Sequence, residues 1–322
     1  MFQTFDSAGD PAVGKPRVAL LRQWLSDNGL DGFIVPRADE HQGEYVADRS
    51  ARLKWLTGFS GSAGVAIVLR DRAFVFVDGR YTLQVRGEVD LGIFSIESLV
   101  DNPPAVWLRD HLGKGARLGF DPWLHTIGEV KALQASADKI GAVLVPLDRN
   151  PIDIIWKDQP GAPVTPVELH PIGFAGELAK DKLARLATAI GKEGATHAVL
   201  TDPSSIAWAF NIRGGDVPHT PLALGFAILA ADGAHQLFID SRKFSRQVAA
   251  YLTQLADPHE PGEFEAAIAA LAKSGAKIAL DPVLAADRLR MLVEDNGGTV
   301  IAAPDPARIP RATKNQAEIN GS

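Results

Sequence analysis

The chain has 322 residues, 46 % of them hydrophobic, with a formal net charge of −6 and no cysteine. That length suits two domains of about 150 residues each. The lack of cysteine excludes disulfides, zinc–thiolate sites and cysteine nucleophiles, and fits a reducing, cytoplasmic setting. An acidic balance without a basic cluster argues against a nucleic-acid partner. No run approaches the roughly 18 apolar residues of a membrane span, so no membrane partner is expected. Met1–Lys15 lacks the basic start and apolar core of a secretory signal.

In chain order, Val18, Leu21 and Leu25 stand at helical spacing behind Pro16, and Gly29 lies past the helix end. Phe33-Ile34-Val35 reads as a buried strand. Val65–Leu69 and Phe74–Val77 read as a hairpin across Arg70-Asp71-Arg72. Helices are expected at 81–88, 105–112 and 127–137, with strands at 117–120 and 142–147. Gln159–Pro171 carries prolines at 160, 163, 166 and 171 and is the expected linker. The course then repeats. Leu183, Leu186 and Ile190 form a helix stripe closed by Gly194, and Ala198-Val199-Leu200 is the strand. Leu224–Leu229 and Gln236–Ile239 form the hairpin. Helices are expected at 244–252, 263–273 and 285–294, and strands at 277–280 and 299–302.

The repetition extends to short strings. Asp78-Gly79-Arg80 returns 162 residues on as Asp240-Ser241-Arg242, and Phe120-Asp121-Pro122 returns 160 residues on as Leu280-Asp281-Pro282. Gly141–Val145 returns 156 residues on as Gly297–Ile301. Nearly constant offsets of this size mean one fold used twice rather than a solenoid of short repeats. The expected fold is α/β: two tandem domains, 1–158 and 172–313, each a mixed sheet flanked by helices. Residues 314–322 start a polar helix and are expected to open a truncated third domain.

Several strings point to a family. They are His41-Gln42-Gly43-Glu44-Tyr45, Trp55-Leu56-Thr57-Gly58-Phe59-Ser60-Gly61-Ser62-Ala63-Gly64 and Val77-Asp78-Gly79-Arg80-Tyr81. Gly119–Trp123, Ile206-Ala207-Trp208 and Asn211–Pro218 come after them. In order and spacing the chain resembles the long, three-domain Xaa-Pro aminopeptidases (aminopeptidase P), relatives of prolidase and creatinase. The resemblance implies two tandem creatinase-like N-terminal domains. It also implies a C-terminal pita-bread domain, absent here, holding two divalent ions, usually manganese, on two Asp, one His and two Glu. The implied reaction removes an N-terminal residue that precedes proline. The implied partners are the chain's own catalytic domain, Xaa-Pro peptides and a second subunit in a homodimer.

The residues themselves offer no catalytic centre. None of the eight histidines lies in a recognised ligand pattern, so no catalytic or metal-ligating residue is assigned and each is expected to pack or face solvent. Gly58–Gly64 lacks the Lys-Ser/Thr of a phosphate loop, misses Gly-x-Ser-x-Gly by one residue and leads into a strand, so it reads as a tight turn. Asp78 and Asp240 are each expected to cap the next helix and to pair with Arg80 and Arg242. The resemblance adds Arg80 and Tyr81 as substrate-rim residues. His219, in a stiff loop between Pro218 and Pro221, is a further rim candidate. Trp55 and Trp208, at matching places in the two copies, are expected in the core or at a domain contact. A stand-alone binding or scaffold protein is the alternative function. A doubly wound small-molecule enzyme is weakened by the missing Gly-x-Gly-x-x-Gly turn.

Overall fold

The computed structural model describes residues 9–321. Residues 1–8, the first half of the stretch read for a secretory signal, and residue 322, in the expected third domain, lie outside the described residues. The chain divides into two compact units: one runs to Asp39 and resumes over Asp48–Gly161, and the other joins Glu40–Ala47 to the chain from Ala162.

In the first unit the elements are α1 (Gly14–Asp27), β1 (Gly32–Pro36), α2 (Arg52–Thr57), β2 (Gly64–Leu69), β3 (Ala73–Val77), α3 (Gln84–Glu88), β4 (Phe94–Ser98), α4 (Pro104–His111), β5 (Arg117–Phe120), α5 (Ile127–Ile140), β6 (Val143–Pro146) and α6 (Pro151–Ile155). In the second they are β7 (Glu168–Leu169), α7 (Ile172–Ala175), α8 (Ala179–Lys192), β8 (His197–Leu200), α9 (Pro203–Ala209), β9 (Ile212–Arg213), β10 (Phe226–Ala230), β11 (Gln236–Phe238), α10 (Arg246–Leu252), β12 (Asp257–His259), α11 (Phe264–Lys273), β13 (Lys277–Leu280), α12 (Asp287–Asp295), β14 (Thr299–Ala302), α13 (Arg308–Ala312) and α14 (Gln316–Gly321).

The two six-stranded sheets have the same order, β4-β3-β2-β1-β5-β6 and β12-β11-β10-β8-β13-β14. Their pairings also match in direction: antiparallel within the two central hairpins and their joints to β1 and β8, parallel elsewhere. β7 and β9 make a separate antiparallel pair. Side chains alternate across the first sheet. Phe33, Val35, Ala66 and Val68 pack under Val18, Leu21 and Leu25 of α1. Ile34, Ile67 and Phe76 face Trp107 of α4 and Leu133 of α5.

Two expected helices begin later than their periodicity suggests. Asp78 and Asp240 each cap a 3-10 turn, Gly79–Tyr81 and Ser241–Lys243, before α3 and α10 start. The apolar spacing runs through that turn because Tyr81 and Phe244 pack on the cores. Short α2 and α9 and the edge strands β4 and β12 are absent from the sequence reading, being too short to show a period.

A duplicated clamp holds α2 and α9. The Arg17 guanidinium lies 4.7 Å over the Trp55 ring and donates to the Trp55 carbonyl. The Lys182 ammonium lies 4.3 Å over Trp208 and donates to the Trp208 carbonyl at 3.0 Å and to Asn211 Oδ1 at 2.8 Å. Burial lowers Lys182 to about 8. A second duplicated device follows β5 and β13. Asp121 accepts from Trp123 N and from Asn150 Nδ2, and Asn150 caps α6. Asp281 accepts from Val283 N and Asp305 N, and Asp305 accepts from Ala307 N.

Burial raises the Asp305 carboxyl above its ordinary value. Its ionised form therefore costs stability at neutral pH, and the cost disappears as pH falls through the carboxylate range. Asp305→Asn, which installs the residue type found at position 150, should stabilise the chain by about 1 kcal/mol at neutral pH. The gain should vanish on acidification. Urea unfolding midpoints across pH provide the check, and a loss of stability at neutral pH would contradict it.

Candidate functional site

Of the sequence candidates, Arg80 and Tyr81 lie on the 3-10 turn after β3, beside the loop that leaves α2, and His219 lies on the loop that follows α9 and β9. In the first unit α2 ends at Gly58, whose φ is +87°. A Cβ there would lie 2.5 Å from the carbonyl oxygens of Asp10 and Glu88, so only glycine fits this turn. The loop is then pinned by Glu88, which is 2 % exposed. Its Oε2 accepts from Ser60 N at 2.8 Å, and its Oε1 accepts from the Ser60 hydroxyl at 2.8 Å and from Gln84 Nε2 at 3.1 Å. Ser62 is thereby held with its Oγ 2.7 Å from the Tyr81 hydroxyl. The Phe59 ring meets Tyr81 edge-on at 5.6 Å.

Arg80 and Tyr81 are thus neighbours on one turn. Arg80 donates from Nη2 to Asp78 Oδ2 at 2.7 Å, remains largely exposed, and lies 5.1 Å over the Tyr81 ring. The Arg80 guanidinium holds the Asp78 carboxyl below its usual value. The Ser62 hydroxyl, with help from Arg80, lowers the Tyr81 phenol. Arg242 makes the same fork on Asp240, holding that carboxyl at about 2. The Asp–Arg clip is therefore a repeated structural device. The feature particular to the first copy is the tyrosine set against Ser62.

His219 belongs to the second unit. Its loop is anchored by Asp216, a buried carboxylate that pairs with Lys243 Nζ and accepts from Leu224 N at 2.7 Å, Thr165 N at 3.3 Å and the Thr165 hydroxyl. The tip is a turn closed by a bridge between Val217 and Thr220. Pro218 takes the position that fixes φ, and His219 takes the next with φ +62°. Asn211, at the loop start, is also left-handed, as is Gln42. Those three are the described non-glycine residues with positive φ, and all lie in the second unit. Tyr45 meets the His219 ring edge-on at 6.0 Å. His41 is buried, with Nδ1 3.1 Å from the Thr201 carbonyl and its ring stacked on Phe226. Sequence reasoning singled out His219 through Pro218 and Pro221; the contacts of Tyr45, Ser62 and Glu88 depend on distant partners and are not legible in it.

Trp55 and Trp208 are indeed packed in their units, Trp55 against Trp156 at 5.4 Å. Among the described residues no group of three or more His, Cys, Asp or Glu side chains could hold a metal ion. No described helix is long and apolar enough to cross a membrane.

An L-residue at φ +62° carries about 1 kcal/mol of strain. His219→Gly should therefore leave the chain equally or more stable, and His219→Val should lower stability by about 1–2 kcal/mol. Thermal unfolding of the two variants decides; a glycine variant less stable than the valine one would refute the strain.

Two segments, 17–151 and 158–318, each match the family of the creatinase/prolidase N-terminal domain. The chain is 36 % identical over 241 residues to the "Probable Xaa-Pro aminopeptidase P" of Neosartorya fischeri, covering 74 % of this chain and 37 % of that protein. To the protein of the same name from Ajellomyces dermatitidis it is 31 % identical over 325 residues, covering 97 % of this chain and 52 % of the relative. The crystal structure of a Caenorhabditis elegans X-prolyl aminopeptidase, described as a cytosolic enzyme with a di-nuclear active site, superimposes with a TM-score of 0.89. That match has 25 % identity and covers 96 % of this chain and 52 % of the other. The chain thus spans between about two-fifths and one half of the length of these relatives. Two copies of one mixed sheet, matched separately by two related family models of the same description and together by these relatives, make the chain a member of the creatinase/prolidase N-terminal domain family, carrying that domain twice in tandem.

Proposed function

We propose that the chain is the non-catalytic N-terminal region of a cytosolic, metal-dependent Xaa-Pro aminopeptidase, which removes an N-terminal residue preceding proline. The observation that carries this reading is the end-to-end likeness to Xaa-Pro aminopeptidase P relatives roughly twice as long. The residues present do not fit a two-metal centre, since no described cluster offers the donors. On this reading the two divalent ions, manganese by family resemblance, belong to a downstream domain that opens near Lys314. The hydrolytic step is assigned to no residue here.

The role that remains is steric and recognitive. On this reading the N-terminal domains narrow access to the metal site of the full enzyme, admitting a chain end and rejecting a folded protein. Proline at the second position lacks an amide hydrogen and fixes φ, so its peptide needs a dedicated site. Arg80, with its exposed guanidinium, and Tyr81, with its lowered phenol, suit the rim of such an entrance and can meet peptide carbonyls or a carboxylate. His219 and Tyr45 offer a second polar-aromatic edge in the other unit. A homodimer of the full-length parent is part of this reading.

Chain 1–322 supplied with manganese should release no first residue from an Xaa-Pro tripeptide; turnover above buffer would overturn the assignment. In the full-length parent, Arg80→Ala should raise KM for longer peptides by roughly tenfold, the scale of one charged hydrogen bond. Unchanged kcat/KM across peptide lengths would remove Arg80 from the rim.

A further inference from the structure

The internal duplication supplies a control for each hollow in the molecule. The apolar cleft of 270 Å³ at His125 in the first unit has a counterpart that holds the stacked rings of Phe226 and Phe264. A different contrast lies beside the two clamped tryptophans. The hollow at Trp55 measures 320 Å³, and the acids in its wall, Asp10 and Asp48, match the bases Arg17 and Lys54. The hollow at Trp208 measures 470 Å³ and sets Arg213, Arg311 and Lys314 against Glu318 alone. One matched position differs in kind. Trp156 stands six residues after the cap Asn150, and Arg311 six after Asp305. Each donates its backbone N–H to the carbonyl four residues before it, Ile152 or Ala307. Trp156 stacks on Trp55, whereas Arg311 adds a charge to the wall at Trp208.

The cations of the second hollow are unequally served. Arg311 pairs with Asp202 at 2.9 Å. Glu318 is engaged by other donors: Oε1 accepts from Trp208 Nε1 at 3.2 Å and Oε2 from Asn315 N at 2.9 Å. Arg213 has no carboxylate within 4.0 Å among the described residues, and Glu318 acts on it only from beyond that distance. Its hydrogen bonds run from Nη1 alone, to Ile212 O at 2.8 Å and to Ala207 O in the wall at 3.3 Å. Nε and Nη2 make none and stay open to solvent. Elsewhere in this protein Arg52, Arg80, Arg242, Arg288 and Arg290 each grip an Asp or Glu with both Nε and Nη2. On Arg213 that edge is vacant, although the guanidinium is half-buried and burial pulls it below its ordinary value. Burying a charge without a partner is costly. Burial, then Arg213 and Lys182, also pushes down His170 in the same wall, so that this imidazole is neutral at physiological pH. The fold does not require arginine here. Ser60 stands five residues after Trp55, as Arg213 stands five after Trp208, and Ser60 is tied to Glu88 instead.

We propose that the hollow at Trp208 is a binding site for a small organic carboxylate. Its two oxygens accept from Nε and Nη2 of Arg213, the planar fork that matches a carboxylate. Lys314, which is exposed and bonded only to the Arg311 carbonyl, supports the charge. Phe174, Leu222 and the Trp208 ring give an apolar body its contact. An apolar cavity of about 150 Å³ suffices for benzene, so the hollow has room for a ring that carries a carboxylate. The site is independent of any peptidase activity and is read by binding alone.

Benzoate and benzamide are the probes, since they share shape and differ in charge. Benzoate should bind the 322-residue chain saturably at one site and shift the Trp208 indole N–H resonance in NMR, with benzamide at least tenfold weaker, the scale of one charged hydrogen bond. Arg213→Gln should bring the two probes to within about threefold of each other. Arg213→Lys keeps the charge and loses the fork; it should weaken benzoate at least tenfold and serves if the glutamine variant does not fold. The full-length parent should bind benzoate as the shorter chain does. A parent that binds none would show that a downstream side chain completes Arg213, and would refute the ligand site. Non-saturable binding, equal affinity of the unaltered chain for the two probes, or benzoate binding unchanged in a folded Arg213 variant would each overturn the proposal.

Discussion

A cation pressed against a tryptophan and bonded to that tryptophan's own carbonyl is the contact on which both units depend. Arg17 makes it to Trp55, and Lys182 makes it to Trp208. The bond consumes a carbonyl of a short helix, and the charge is offset by the ring face. Neither α2 nor α9 has the length to be stable alone, and each leads directly into a loop that carries candidate site residues. The Gly58–Gly64 turn and the Asn211–Leu224 loop are fixed at their entry by these clamps. They are fixed farther along by buried carboxylates, Glu88 in one case and Asp216 in the other.

Duplication separates what the fold needs from what one copy has acquired. Sheet order, the Asp–Arg clip, the clamp and the aspartates after β5 and β13 occur twice, and so belong to the architecture. Tyr81 against Ser62, the strained His219 and the cleft at His125 occur once. Single occurrence in a duplicated scaffold is a physical reason to look there for function, because the other copy shows the fold closing without it. The chain is thus two structural modules with single-copy features added unevenly and no donor cluster for metals among the described residues.

The sequence by itself determined the repeated α/β architecture, because long apolar stripes and short β-branched runs recur at a nearly constant offset. α5, α8, β5, β13 and β14 are read from periodicity alone. It also determined the Asp–Arg clips, which join residues two positions apart, and the tight turn after Gly58, though the carbonyls that exclude a side chain there come from distant Asp10 and Glu88. The tertiary structure decided what depends on distant partners. Glu88 reaches Ser60 across 28 residues, Lys243 reaches Asp216 across 27, and Arg17 reaches Trp55 across 38. His125 illustrates the limit. Its letter sits unremarkably beside a helix start, and only packing shows that it is buried and uncharged, in the wall of a cleft whose counterpart in the second copy holds stacked phenyl rings.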